Sequence, residues 1–265
     1  MICHGVSGVE RTALTAERLS SARAVDRDPG LRSRLLKQFD DGAEALQGLL
    51  ADRFGAADLE GIVASARAEY GRVIDRLPWI GGSANPRSFS LYGSGLWLAL
   101  WRALHPRGLK LEDARTLLVE IFRRYWARYP GFLRRLHGRI RMGPRSQRRI
   151  ERLSLLSQQR QYPCDYVQCF VPGEPGRFDF GIDFVECGII KFLRAEGAAE
   201  LAPILCELDW PHAELIGVKL DRTTTLAQGG KCCDFRFSRA GATDVGLRRA
   251  SLVAVLVHGF AGWAA

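Results

Sequence analysis

The sequence predicts an α+β fold, with a helical N-terminal half packed on a C-terminal layer of antiparallel β-hairpins and intervening helices. Three observations predict it. Apolar residues recur at spacings of three and four through the first 160 residues. Near residue 164 the period drops to two, the repeat of a half-buried strand. Two strand pairs punctuated by turn residues then flank a helical stretch. At 265 residues, 47% hydrophobic and 25% charged, the chain is long enough for one large domain or two small ones. That composition excludes a disordered chain, a collagen-like repeat and a disulfide-stapled miniprotein. The layout divides into a mainly helical region at 1–160, an α+β region at 161–240 that carries the site, and an apolar tail at 241–265.

Each element has its own signal. Over 31–54, Leu35, Leu36, Phe39, Ala43, Leu46, Leu49 and Leu50 form one helical stripe, and Gly55 stops it. Asp58 is placed to cap a second helix that runs to about 77, where Pro78 ends it. The turn-rich GGSANPRS at 81–88 reads as a loop. A helix over 90–104 carries Trp97 and Trp101 one turn apart among leucines, which makes core packing the reading over ring binding. The stripe of Leu117, Leu118, Ile121, Phe122 and Trp126 gives a helix over 111–129. The 132–160 stretch repeats leucine and isoleucine at helical spacing. In the α+β region, 165–171 and 178–184 form a hairpin across Gly-Glu-Pro-Gly at 173–176. Helices are expected over 186–196, ending at Gly197, and over 199–208. A second hairpin pairs 216–226 with 232–238 across Gly229-Gly230.

The charge balance is +9, from 38 Lys and Arg against 29 Asp and Glu. Most of the excess lies in 132–160, where Arg134, Arg135, Arg139, Arg141, Arg145, Arg148, Arg149, Arg152 and Arg160 face only Glu151. Such a stripe can track phosphates, but aromatic side chains for stacking on bases are nearly absent. A solvated helical face or an internal ion-pair surface is the expected reading, with no nucleic-acid partner. No secretory leader is read at the start of the chain. The SLVAVLVHGFAGWAA stretch at 251–265 is short for a membrane span and is broken by His258 and Gly259, so it is expected to be a buried element or a sticky tail. Seven cysteines without a dense framework read as mostly reduced thiols in a cytoplasmic protein.

Common catalytic signatures are absent. There is no phosphate-binding loop, dinucleotide fingerprint, HExxH or GxSxG, and the five histidines form no triad pattern with a Ser or Cys. Cys164 and Cys169 sit at odd spacing on a strand and take opposite faces, so they share no metal. The dense region is 186–237. Alternation puts Arg222, Thr224 and Leu226 on one face of the first strand, and Cys233, Phe235 and Phe237 on one face of the second. A two-residue turn sets Leu226 opposite Cys233, so Arg222 and Cys233 look to the same apolar side while Cys232 looks outward. An arginine on an apolar face needs a partner. Glu186, Asp183, Asp209 or the carboxylate of a substrate would serve. Cys206 and Asp209 are three apart and share a helix face. A thiolate near a cation is a good nucleophile, and a buried thiol is otherwise a small apolar filler.

ILCELD at 204–209 followed by LDRTTTLAQGGKCCDFRF at 220–237 resembles the L-2-amino-thiazoline-4-carboxylic acid hydrolase family. Its members show a C-x-x-D element and then R-T-x-T-L-A-x-G-G-x-x-C-D-F-R. The resemblance carries over Cys206, Asp209, Arg222, Thr225, Cys233 and Asp234. It implies a hydrolase that opens a small cyclic amidine bearing a carboxylate, giving a carbamoyl-cysteine from the named substrate. On that reading Asp209 and Cys233 are catalytic, Asp209 orienting water or taking its proton and Cys233 attacking the amidine carbon or shaping the pocket. Arg222 clamps the substrate carboxylate, and Thr225, Cys206 and Asp234 complete the binding site. The family is also distantly similar to small-molecule-binding domains related to 4-vinyl reductases, some of which hold zinc. Cys206 and Cys233 would supply two ligands, but Arg222 and Thr225 stand where others are needed, so no metal or cofactor is expected unless Cys187 or Asp209 completes the set. The alternative function is a non-catalytic sensor or carrier on the same scaffold.

Overall fold

The computed structural model describes residues 23–55 and 58–239. The readings of residues 1–22 and of the 241–265 tail lie outside the described residues. A short helix α1 (Ala24–Arg27) leads into α2 (Leu31–Phe54), α3 (Leu59–Ile74), α4 (Arg87–Leu104), α5 (Leu111–Ala127), α6 (Gly131–Arg141) and α7 (Pro144–Ser157). Strands β1 (Val167–Glu174) and β2 (Phe178–Glu186) follow, then α8 (Gly188–Ala195), α9 (Leu201–Glu207) and α10 (Asp209–Ile216), and finally β3 (Val218–Asp221) and β4 (Cys233–Arg239). The α+β reading holds. One cluster of buried apolar residues runs from Ala24 to Phe237 through both halves. Among the described residues no helix is long and apolar enough to cross a membrane.

Most of the helical boundaries follow from the apolar stripes, and the departures have local causes. Asp58 makes no side-chain cap, and α3 ends at Ile74, a turn before Pro78. Helix α4 begins at Arg87, inside the stretch read as a loop, because Pro86 precedes its first turn with helical backbone. The 132–160 stretch is two helices. Gly143 is extended (φ −77°, ψ 159°) and Pro144 opens α7, so the chain breaks after Met142. Arg145, Arg148, Arg149 and Arg152 then lie exposed on α7, whereas Arg141 is drawn inward. Helix α10 stands where the sequence pointed to no element. Its Pro211 falls in the first turn, where no intrahelical N–H is needed. Trp97 and Trp101 pack against the core, and Trp101 stacks on His105 with centroids 4.3 Å apart.

The two hairpins merge into one antiparallel sheet of order β1-β2-β4-β3. Gly176, at φ +78°, makes the tight turn between β1 and β2, closed by Arg177 N–H donating to the Glu174 carbonyl (2.9 Å). The second hairpin differs from its expected form. Leu220 pairs with Phe237 and Asp221 with Arg236, a slip of two residues from a register that sets Leu226 against Cys233. Gly229-Gly230 is not a two-residue turn. A 3₁₀ turn at Leu226–Gln228 and Gly229 at φ +86° spend extra chain, so β3 stops at Asp221. A slip of two preserves which side chains share a face. Phe180, Ile182, Phe184, Leu220, Cys233 and Phe237 therefore face inward and are buried.

Cys164, Cys187, Cys206, Cys232 and Cys233 are free thiols. Cys169 is disulfide-bonded, which corrects the reduced-thiol reading at that position.

Helix α6 reaches the site because Gly138 lets it lie on α10. A Cβ at Gly138 would sit 2.0 Å from the Ile216 carbonyl oxygen, and backbone cannot give way cheaply. Gly138→Ala is expected to destabilise by about 2–3 kcal/mol, read as a lower urea midpoint. Gly42→Ala on α2 meets nothing within 4 Å and is expected to be neutral or stabilising by a few tenths to about 1 kcal/mol. Equal midpoints for the two variants would refute the close α6–α10 approach.

Candidate active site

The loop between β3 and β4 is held by its own side chains. Thr225 caps the 3₁₀ turn: its Oγ1 accepts from Gln228 N–H (3.2 Å) and donates to Gln228 Oε1 (3.0 Å). Asp234 holds the other end, with Oδ1 accepting from the Thr223 and Thr224 N–H groups (2.9 and 2.7 Å) and Oδ2 from the Thr223 hydroxyl (2.6 Å). Burial pulls the Asp234 carboxyl upward, but these bonds outweigh it and hold the group below its ordinary value. Both of its oxygens are spent on the loop. Asp234 shapes the site from behind.

Arg222 follows β3 on the inward face, with a side chain only 2% exposed. Its Nη1 donates to Asp209 Oδ2 (2.5 Å) and its Nη2 to the Cys206 carbonyl (3.0 Å). The guanidinium lies between two rings, 4.1 Å from the Trp210 centroid and 5.1 Å from that of Phe235. Nε is buried without a partner among the described residues. Of the partners open to it in the sequence, Asp209 is the one it takes. It ties the end of α9 to the start of α10, so Cys206 and Asp209 belong to successive helices. Arg222 is thus occupied as a positioning group, with two of its nitrogens committed before any substrate arrives.

A pocket of about 400 Å³ opens beside it, lined by Cys206, Trp210, Arg222, Thr225, Gln228, Pro203 and Glu207. Cys233 lies behind this wall, 5% exposed, its Sγ accepting from Leu226 N–H (3.2 Å). Its thiol does face inward, as alternation requires. Burial pushes it up to about 11, so the thiol is protonated at neutral pH. Burial also raises Cys206 well above a free thiol and pushes Cys187 upward. The half-exposed Cys232 belongs to the opposite side.

Asp209 is the chemically distinctive group. It keeps 38% of its side-chain surface accessible, yet burial dominates its titration and raises it to about 6 against the pull of Arg222, Arg141 and Arg87. The charges of Arg87 on α4 and Arg141 on α6, which the sequence reading did not single out, also pull on this carboxyl. Nearby His137, lowered to about 4 by burial and Arg141, and His212, held well below its ordinary value by burial, Arg141 and His137, are neutral. Among the described residues no three His, Cys, Asp or Glu side chains converge as a metal site.

The fold and site define an α+β domain with a loop-bounded pocket whose lining arginine, Arg222, holds a desolvated carboxyl. Residues 160–237 match the family described as L-2-amino-thiazoline-4-carboxylic acid hydrolase, the family that the C-x-x-D and CDFR elements resemble. No curated protein and no solved structure matches the chain.

Proposed function

We propose that the protein is a hydrolase that opens a small cyclic amidine, or a related ring, carrying a carboxylate. The observation that carries the reading is Asp209: a carboxyl raised to about 6, fixed by Arg222, inside the segment that matches a hydrolase family. A carboxylate of that basicity is half-ionised near pH 6 and is suited to take a proton from water near neutral pH. In the proposed step Asp209 accepts a proton as water adds to the amidine carbon. The tetrahedral adduct collapses, one ring bond to that carbon breaks, and the departing heteroatom takes the proton back. Cys206 serves as a pocket wall and Cys233 packs behind it, since a thiol held in its protonated form is a weak nucleophile. No cofactor enters the proposal. A cytoplasmic setting is part of it, supported by the five free thiols among the described residues and opposed by the disulfide at Cys169.

The test is turnover of 2-amino-thiazoline-4-carboxylate to a carbamoyl-cysteine by the full chain. Cys233→Ala is expected to keep the rate within about tenfold, because it removes packing behind the pocket wall and not the base. A loss of about 10²–10⁴-fold in that variant, the size expected for an acid–base or nucleophilic group, would return the nucleophile role to the thiol. Binding without turnover by the wild type would favour a carrier or sensor.

A further inference from the structure

Helix α7 turns one stripe of side chains outward. Arg145, Arg148, Arg149 and Arg152 recur along it at spacings of three and four, and all four are exposed. The stripe continues into Leu155 and Leu156, which are 65% and 51% exposed. The opposite face is fixed to the sheet. Ile150 and Ser154 are buried, Ser154 Oγ accepts from Gln168 Nε2 (3.0 Å), and Ser157 Oγ accepts from the Gln168 N–H (3.0 Å). These bonds to β1 keep the arginines turned outward.

Three local costs coincide on this stripe. Like charges stand four apart in two pairs, Arg145 with Arg149 and Arg148 with Arg152, and each pair weakens a helix. The first turn holds Arg145 and no acidic residue, against the sign that the helix dipole favours. Two leucines lie in water. Elsewhere on the surface arginines meet carboxylates, as Arg67 does with Asp40, Arg76 with Glu196 and Arg123 with Glu214. The four arginines of the stripe make no ion pair among the described residues, so the internal ion-pair surface expected of this stretch is not formed by them. Glu151, exposed on the flank of the stripe, is the one acidic residue of the helix.

We propose that this stripe docks the protein on an anionic lipid surface, with the arginines at the level of the headgroup phosphates and Leu155 and Leu156 in the outer acyl layer. Negative headgroups relieve the repulsion and the dipole mismatch together. A bilayer also takes the two leucines out of water. A nucleic-acid backbone offers them nothing apolar, and α7 carries no aromatic side chain to stack on bases. From Arg145 to Leu156 the stripe runs about 16 Å along the helix, a flat seat for several headgroups. It shares no residue with the pocket at Arg222 and does not rest on the hydrolase reading.

The test is co-sedimentation of the full chain with vesicles of phosphatidylcholine alone, and with vesicles of phosphatidylcholine and phosphatidylserine in equal parts. Binding is expected on the second only and should fall as salt is raised. Arg148→Gln and Arg152→Gln should each weaken it about fivefold, the effect of one cation near such a surface, and the pair about twentyfold. Arg124→Gln, an equal loss of charge on the exposed face of α5, should change it by about twofold or less. Leu155→Ser with Leu156→Ser should weaken binding about threefold or more while leaving the salt dependence as it was. The glutamine variants lose a repulsion, so their urea midpoints should equal or exceed that of the wild type. Arg148→Lys with Arg152→Lys, which keeps the charge, should bind within about twofold of the wild type. No binding to the phosphatidylserine vesicles, or binding that ignores the arginines, overturns the proposal. A DNA duplex bound at least as tightly as the vesicles, with the leucines irrelevant to both, would assign the stripe to nucleic acid and overturn it as well.

Discussion

Replacing Arg222 with leucine is expected to lower stability and to shift the pH dependence of turnover together. Breaking a wholly buried ion pair costs about 3–5 kcal/mol; Asp209 retains accessible surface, so about 2–3 kcal/mol is expected, with the stacking on Trp210 and Phe235 lost as well. The urea midpoint should fall accordingly. Arg222 is also the largest influence that pulls the Asp209 carboxyl down. Without it the acidic limb of the rate profile should move to higher pH. Arg222→Lys should retain the charge and much of the limb's position while losing the paired donation to the Cys206 carbonyl. An unchanged midpoint with an unchanged profile would mean that Arg222 positions nothing.

Asp209→Asn is expected to reduce turnover by about 10²-fold or more while leaving binding of the ring acid within a few-fold. In the wild type the rate should climb with pH through a midpoint of about 6, where the base becomes ionised. The stability consequence has a definite sign. The folded-state value lies above the ordinary 3.8, so the folded protein holds this proton more tightly than the unfolded chain. The favourable contribution is complete below about 4 and is lost as pH rises through about 6. The Asn variant lacks it, so its urea midpoint relative to wild type should improve between pH 5 and 7.5. A parallel pair of midpoint curves, or a wild-type rate flat from pH 5 to 8, would show that this carboxyl does not titrate in that range.

The inner face of the sheet was legible in the sequence because strand alternation is rigid. Phe180, Ile182 and Phe184 could only share a side, and Cys233 had to follow Phe235 and Phe237 inward. The two-residue slip of β3 left those assignments intact, because it conserves the period. Arg222 and Asp209 could be named from their motif, and their contact is one of the pairings an inward arginine required. Arg87 was hidden because Asn-Pro-Arg-Ser reads as a turn, although Pro86 in fact starts a helix. Arg141 was hidden among eight other arginines of one stretch. The Met-Gly-Pro break was the available signal, since a helix that ends there can turn its last side chain away from the solvated face. Helix α10 is only eight residues long and carries Pro211, too little for a periodic stripe to stand out. None of these local patterns records that residues 209 and 222 meet, or that the charges of residues 87 and 141 reach the same carboxyl.

Asp209 and Arg222 belong to the 160–237 stretch, while Arg87 and Arg141 come from helices that precede it. The acid–arginine pair and the guanidinium charges around it thus come from separate parts of the chain. A change confined to the helical half can retune the Asp209 carboxyl without disturbing a single backbone pairing of the sheet.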